Sequence, residues 1–175
     1  MVYYRRNRIP GGTYFFTVTL GDRRSRVLVE HIVPLREAFR RVSREKPFQM
    51  EAVVVLPDHI HTVWTLPGDD CDYPSRWRAI KSRFTRAIRE RGVSLIPNAK
   101  GEYDLWQRRY WEHTIRDMDD LQRHVEYIHY NPAKHGLVKR VADWPFSSFH
   151  RYVRLGWVSP DWGSIATLSH AENFG

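Results

Sequence analysis

The stretch QMEAVVVLPDHIHTVWTL, residues 49–66, constrains the fold more than any other part of the chain. Two runs rich in β-branched and aromatic residues, 48–56 and 59–66, meet at Pro57-Asp58, and so short a link makes an antiparallel hairpin the economical pairing. Along the second run, a period of two sets His59 and His61 on one side and Ile60 and Trp64 on the other. Side-by-side neutral imidazoles are a natural divalent-metal pair. They are equally a pair of polar residues at a strand end, hydrogen-bonded to carbonyls. A third ligand and a reacting group elsewhere in the chain would decide between these readings.

The rest of the chain supplies partners for the hairpin. After a Pro-Gly-Gly turn, a strand is predicted from Thr13 to Leu20; the adjacent large residues Phe15 and Phe16 indicate a sheet covered at least partly on both faces. Helical periodicity predicts a helix over Pro34–Glu45, with Leu35, Ala38, Phe39 and Val42 as its apolar stripe, and another over Ser75–Arg91 closed by Gly92. A fourth strand is predicted at Tyr110–Ile115. A last helix runs from an Asp117 cap, with Asp120 in the capping-box position, to Asn131, where Pro132 should stop it. This order, in a chain of 175 residues, predicts one α+β, ferredoxin-like domain: a mostly antiparallel sheet with helices packed on it. Beyond Gly136 no clean period is visible, and the chain reads as a tail packed on the domain by Trp144, Phe146 and Phe149.

Charge narrows the class of partner. With 28 Lys and Arg against 20 Asp and Glu the net charge is +8, and Arg dominates; its planar donor fork suits phosphate. Nucleic acid is the leading class, while an anionic membrane or a merely soluble basic protein stays open. Arg78, Lys81, Arg83, Arg86 and Arg89 crowd one face of the 75–91 helix, and Arg5, Arg6 and Arg8 lie near the start. Such a surface is either a phosphate-binding face or a solvated one. Arg23, Arg24 and Arg26 could extend it. Cys71, the single cysteine, stands among aspartates and reads as incidental. No stretch has the pattern of a signal peptide or a membrane span, so a cytoplasmic protein with no membrane partner is expected.

The helix ending in HVEYIHYNP supplies the missing candidates. Relative to Met118, Tyr127, Asn131 and His124 fall at about 180, 220 and 240 degrees, a polar stripe beside the buried face, with Tyr130 turned away. A tyrosine next to a metal pair suits attack on a phosphodiester, because the metal neutralises charge on the phosphate and assists a phenol whose pKa near 10 otherwise makes it a poor nucleophile. Alternatively Tyr127 merely borders the core with its hydroxyl in water.

Four stretches, YRRNRIPGGTYFFTVTL, VVLPDHIHTVWTLP, WQRRYWEHTIRDMDDLQRHVEYIHYNPAKHGLV and WPFSSFHRY, together resemble the REP-associated tyrosine transposases, a branch of the HUH single-tyrosine nucleases. The resemblance runs over residues 3–155 and implies a catalytic domain over 1–155 followed by a C-terminal tail, 156–175. It implies that His59, His61 and Asn131 hold a divalent metal, Mg or Mn, and that Tyr127 is the nucleophile. Arg5, Arg6, Arg8, Arg78, Lys81, Arg83 and Arg86 are the candidate DNA contacts. The implied activity is cleavage and transfer of single-stranded DNA near a REP-like hairpin through a 5′-phosphotyrosine intermediate, by a monomer or homodimer. A non-catalytic hairpin-binding regulator and a metal-dependent ribonuclease are the alternatives; the second leaves Tyr127 unexplained.

Overall fold

The computed structural model describes residues 7–163. Its elements are β1 (Thr13–Thr19), α1 (Val27–Glu30), α2 (Ile32–Glu45), β2 (Gln49–Val55), β3 (His59–Thr65), α3 (Tyr73–Glu90), β4 (Trp111–Thr114), α4 (Met118–Lys134), a short 3-10 turn (Val141–Asp143) and α5 (Phe149–Arg154). The four strands form one antiparallel sheet in the order β2-β3-β1-β4. The hairpin around Pro57-Asp58 puts β3 inside the sheet, which is why almost every β3 residue is buried. This is the expected α+β arrangement.

The two sheet faces are covered by different helices. Ile60, Trp64 and the β1 residues Tyr14, Phe16 and Val18 pack under α2 and α3, where Trp64 and Trp77 stack with centroids 4.4 Å apart. Phe15 and Val63 on the other face, with Ala52 and Val54, pack under Val125 and Ile128 of α4 and against Trp144. The doubled phenylalanine thus divides between two cores.

Helix ends depart from expectation at α2, which begins at Ile32 and not at Pro34, and in three further places. α3 begins at Tyr73 with Asp72 as its cap, the carboxylate accepting the Ser75 N–H at 3.2 Å, so Ser75 lies inside the helix. At α4, Asp117 does accept the Asp120 N–H at 2.8 Å, but the Asp120 carboxylate reaches back to the Arg116 N–H at 3.0 Å instead of closing a reciprocal box. Most consequentially, α4 passes through Pro132 and ends at Lys134. Proline denies one hydrogen bond, that to the Ile128 carbonyl, whereas its ring is buried and its φ already suits a helix. The helix stops a turn later, where Gly136 takes φ +67° and lets the Leu137 N–H reach the Pro132 carbonyl at 2.9 Å.

The tail is packed as expected, and more firmly. Trp144 and Phe149 are buried and Phe146 is partly so. The Val55 N–H donates to Phe146 O and the Ser148 N–H to Val53 O, both at 2.8 Å, so residues 146–148 run along the outer edge of β2. The Trp144 indole N–H donates to Val55 O at 3.0 Å. No helix among the described residues is long and apolar enough to cross a membrane.

Candidate active site

On the α4 side of the sheet, register places Trp111, Thr17 and His61 in one cross-strand row, with Thr19 opposite His59 in the next. Both imidazoles are buried, and each has its Nδ1 engaged. His61 Nδ1 lies 2.8 Å from Thr17 Oγ1; His59 Nδ1 lies 2.8 Å from Asp58 Oδ1, whose second oxygen accepts from Arg23 Nε at 2.5 Å. Burial pushes His59 below its ordinary pKa and His61 well below, so both rings are neutral near pH 7. Burial alone would raise Asp58, but the bonds from His59 and Arg23 prevail and hold it low. An ionised Asp58 fixes the His59 proton on Nδ1 and leaves Nε2 as a lone-pair donor. The ring centroids of the pair are 4.8 Å apart.

Helix α4 carries Tyr127 to this pair: its ring is 5.2 Å from that of His61 and 6.0 Å from Phe15, with Lys134 Nζ 5.0 Å above it. One turn on, Asn131 is fully buried, and neither its Oδ1 nor its Nδ2 has a hydrogen-bond partner among the described residues. Leaving both ends of a buried amide unpaired is costly unless something else binds there. Tyr130 points elsewhere, toward the tail; a Cβ added at Gly163 would sit 3.7 Å from its Cδ2. The separation of the two tyrosines expected from helical geometry is realised.

His124, the third member of the polar stripe, joins a different cluster. Its Nδ1 bonds the Asp120 carbonyl at 2.8 Å, and its ring stacks on His113 at 4.7 Å and lies 4.8 Å from Phe15. His113, Asp120 and His124 are the one group of three or more described His, Cys, Asp and Glu residues with ligand atoms gathered within 4.8 Å. The Asp120 carboxylate is already surrounded by donors: His113 Nε2 at 2.9 Å, the Arg116 N–H at 3.0 Å and Arg123 at 3.7 Å. Burial works against its charge, yet the bonds from His113 and the Arg116 N–H, with the nearby His113 and His124 rings, hold it at about 2. Sequence reasoning missed this cluster and Asp58. Period two on β4 already set His113 and Trp111 on one side, and Asp58 stood beside His59, but their partners required the register between strands.

A cleft of about 470 Å³ opens beside His59, lined by Arg23, Arg24, Arg26, Asp58 and His135. The His135 ring is 5.4 Å from that of His59. The other basic candidates lie farther off. Arg5 and Arg6 fall outside the described residues, and Arg8 is exposed. α3 covers the opposite sheet face from the histidines, and its basic face is divided: Arg83 pairs with Glu45 at 2.7 Å, Arg86 lies 3.5 Å from Glu90, and Lys81 bonds the Gln107 carbonyl under Trp106 and Tyr110. Arg78 is exposed. Arg76 on the same helix is buried, donating to Lys46 O, Pro47 O, Asp72 O and Asp70.

Two neutral imidazoles, with an unpaired buried amide one helical turn from the tyrosine that meets His61, are a donor set of the kind that can hold a divalent cation. The chain matches the family model "Transposase IS200 like" over residues 12–131, a span that includes the histidine pair, Tyr127 and Asn131. It is 48% identical over 173 residues to the REP-associated tyrosine transposase of Escherichia coli (strain K12), covering 98% of each chain. A Haemophilus influenzae protein provisionally given the same name is 44% identical over 170 residues, covering 96% of this chain and 97% of that one. Among solved structures, a REP-associated tyrosine transposase bound to a REP hairpin superposes with a TM-score of 0.83 at 49% identity, over 93% of this chain and 91% of the other. Geometry and similarity agree: the chain belongs to the IS200-like transposases, in their REP-associated tyrosine branch.

Proposed function

We propose that this transposase cuts and rejoins single-stranded DNA beside a REP-like hairpin, with Tyr127 as the nucleophile and His59, His61 and Asn131 as the holders of Mg or Mn. The observation that carries the reading is the contact of Tyr127 with His61, 5.2 Å between ring centroids, next to the unpaired amide of Asn131. A divalent ion bound there supplies Lewis-acid polarisation of the scissile phosphate. Asp58 and Thr17 hold the two imidazoles in the orientation that presents Nε2. The Tyr127 phenol loses its proton and its oxygen bonds to phosphorus; the bond from phosphorus to the 3′-oxygen breaks, and that oxygen takes a proton. The products are a 5′-phosphotyrosine and a free 3′-hydroxyl, and the same steps in reverse join strands. Lys134, 5.0 Å above the Tyr127 ring, places positive charge beside the phenol as it becomes negative.

The test uses an oligonucleotide hairpin with single-stranded arms, incubated with the protein and Mg or Mn, then run on a denaturing gel and mapped by peptide mass. The nucleotide mass is expected on Tyr127, absent from Tyr127→Phe and largely retained by Tyr130→Phe. Attachment to Tyr130 would overturn the assignment. Tight binding without any adduct would favour a hairpin-binding regulator, and RNA cleavage without an adduct a ribonuclease.

A further inference from the structure

Trp111 stands at the outer edge of the sheet with 52% of its surface exposed, on the face that carries the histidine pair. Large aromatic residues are usually buried, and this one is both open and fixed. Its indole is parallel to the His113 ring, 10° between planes and 6.0 Å between centroids, and meets the edge of Phe15 at 5.5 Å. His113 is held in turn by the buried Asp120 at 2.9 Å and by its stack on His124. The row Trp111–Thr17–His61 sets the indole two strands from His61, so it flanks the place where Tyr127 meets that ring. Arg108 and Arg109, both exposed, come just before it in the chain.

We propose that Trp111 is a nucleobase-stacking platform: its open face receives an unpaired base of the DNA strand next to the phosphate that Tyr127 attacks. Every base has a π face, so an indole binds an unpaired base whatever its identity, while adjacent guanidinium groups neutralise the backbone. A half-buried indole backed by a locked imidazole gives a flat surface of fixed height over the site. The Asp120 cluster, which the proposed chemistry does not otherwise use, thereby acquires a role: it holds the platform. An edge position also lets the strand pass from the basic loop before β4 onto the histidine face. The proposal rests on the reading of Tyr127 and the histidine pair as the cleavage site.

The experiment places 2-aminopurine singly at each position of the unpaired arms of a DNA hairpin and records its fluorescence on binding, with chelator present so that no strand is cut. Stacking on an indole quenches this base. Quenching is expected at one or two adjacent arm positions with the unaltered protein, retained in Trp111→Phe and lost in Trp111→Ala, with affinity for the arm falling on the order of tenfold. Trp157→Ala, which removes a still more exposed indole in the tail, should leave the pattern intact. Quenching that survives Trp111→Ala, or that appears at no arm position, overturns the platform; so does its loss in Trp111→Phe to the same degree as in Trp111→Ala. Adduct formation, measured separately with Mg or Mn, keeps the two readings apart. Trp111-dependent quenching without any Tyr127 adduct would sink the cleavage reading alone, and an adduct without such quenching the platform alone.

Discussion

The two faces of the sheet are built from the same strands and obey different rules. Under α2 and α3, Tyr14, Phe16, Val18, Ile60, Trp64, Tyr73, Trp77, Ile80 and Phe84 are fully buried, and aromatic rings fill the space. Under α4 the same strands contribute His59, His61 and Thr17, and the helix adds Asp120, His124 and Asn131, all polar and nearly all buried. Burial of an apolar side chain stabilises by about 1.5–3 kcal/mol, whereas a buried polar group must find a partner merely to break even. Both faces thus contribute apolar packing, but the α4 face also gathers buried histidines and an amide that the fold alone would not favour. The large groups on the stabilising face are still not all satisfied: the Trp64 and Trp77 indole N–H groups have no acceptor among the described residues.

Substitutions on the two faces should separate stability from chemistry. Trp77→Ala removes a ring stacked on Trp64 in the apolar core and should cost about 3–5 kcal/mol, read as a lower denaturation midpoint. The folded fraction should still form adduct at the normal rate; a specific loss of chemistry would break the division. Asp58→Asn leaves the core alone but weakens the hold on His59, so metal affinity or cleavage should fall about 10–100-fold with little change in melting temperature. Metal titration followed by calorimetry measures it.

Asp120→Asn tests a charge on the polar face. The carboxyl is held at about 2, below its ordinary 3.8, so its ionised form contributes stability that is complete above 3.8 and lost as pH falls toward 2. The variant should be less stable at neutral pH, with the gap closing across that window; denaturant curves at several pH values would expose a constant gap. Asn131→Leu inverts the usual sign: it removes an unpaired buried amide worth about 1–3 kcal/mol of desolvation, so the metal-free protein should be as stable or more stable while cleavage disappears. A marked loss of stability would mean that the amide has a structural partner. The smallest effect belongs to Arg83→Ala, which breaks a largely exposed pair with Glu45 and should change stability by about 0.2–1 kcal/mol. Together with Arg78→Ala, Lys81→Ala and Arg86→Ala it should also flatten the salt dependence of hairpin binding, if the outer face of α3 holds phosphates.

Features with a local period were legible in the sequence. The four strands, the two long helices on the apolar face and the sharing of one strand side by His59 and His61 follow from alternation and from 3.6-residue repeats, which depend only on near neighbours. The placement of Tyr127 and Asn131 on one helical stripe apart from Tyr130 was legible for the same reason. What escaped depends on distant segments or on small energy differences. Pro132 costs α4 one hydrogen bond, too little to outweigh a further turn closed by Gly136. The run of arginines on α3 reads as one surface in projection, yet Glu45 of α2 and the loop carrying Gln107 divide it. The orientation of His61 by Thr17 and of His113 by Asp120 needed the strand register and the docking of α4, which no window of sequence contains.

The pairing of residues 146–148 with β2 bears on what the protein can stick to. A strand whose outer N–H and C=O groups are free is a template for another chain, and sheets with open edges tend to grow. Here the chain's own later segment occupies that template at Val53 and Val55. The opposite edge belongs to β4, only four residues long, too short a ladder to recruit a stable foreign strand. The later segment on the β2 edge and the shortness of the β4 edge thus leave little open ladder for a foreign strand to extend.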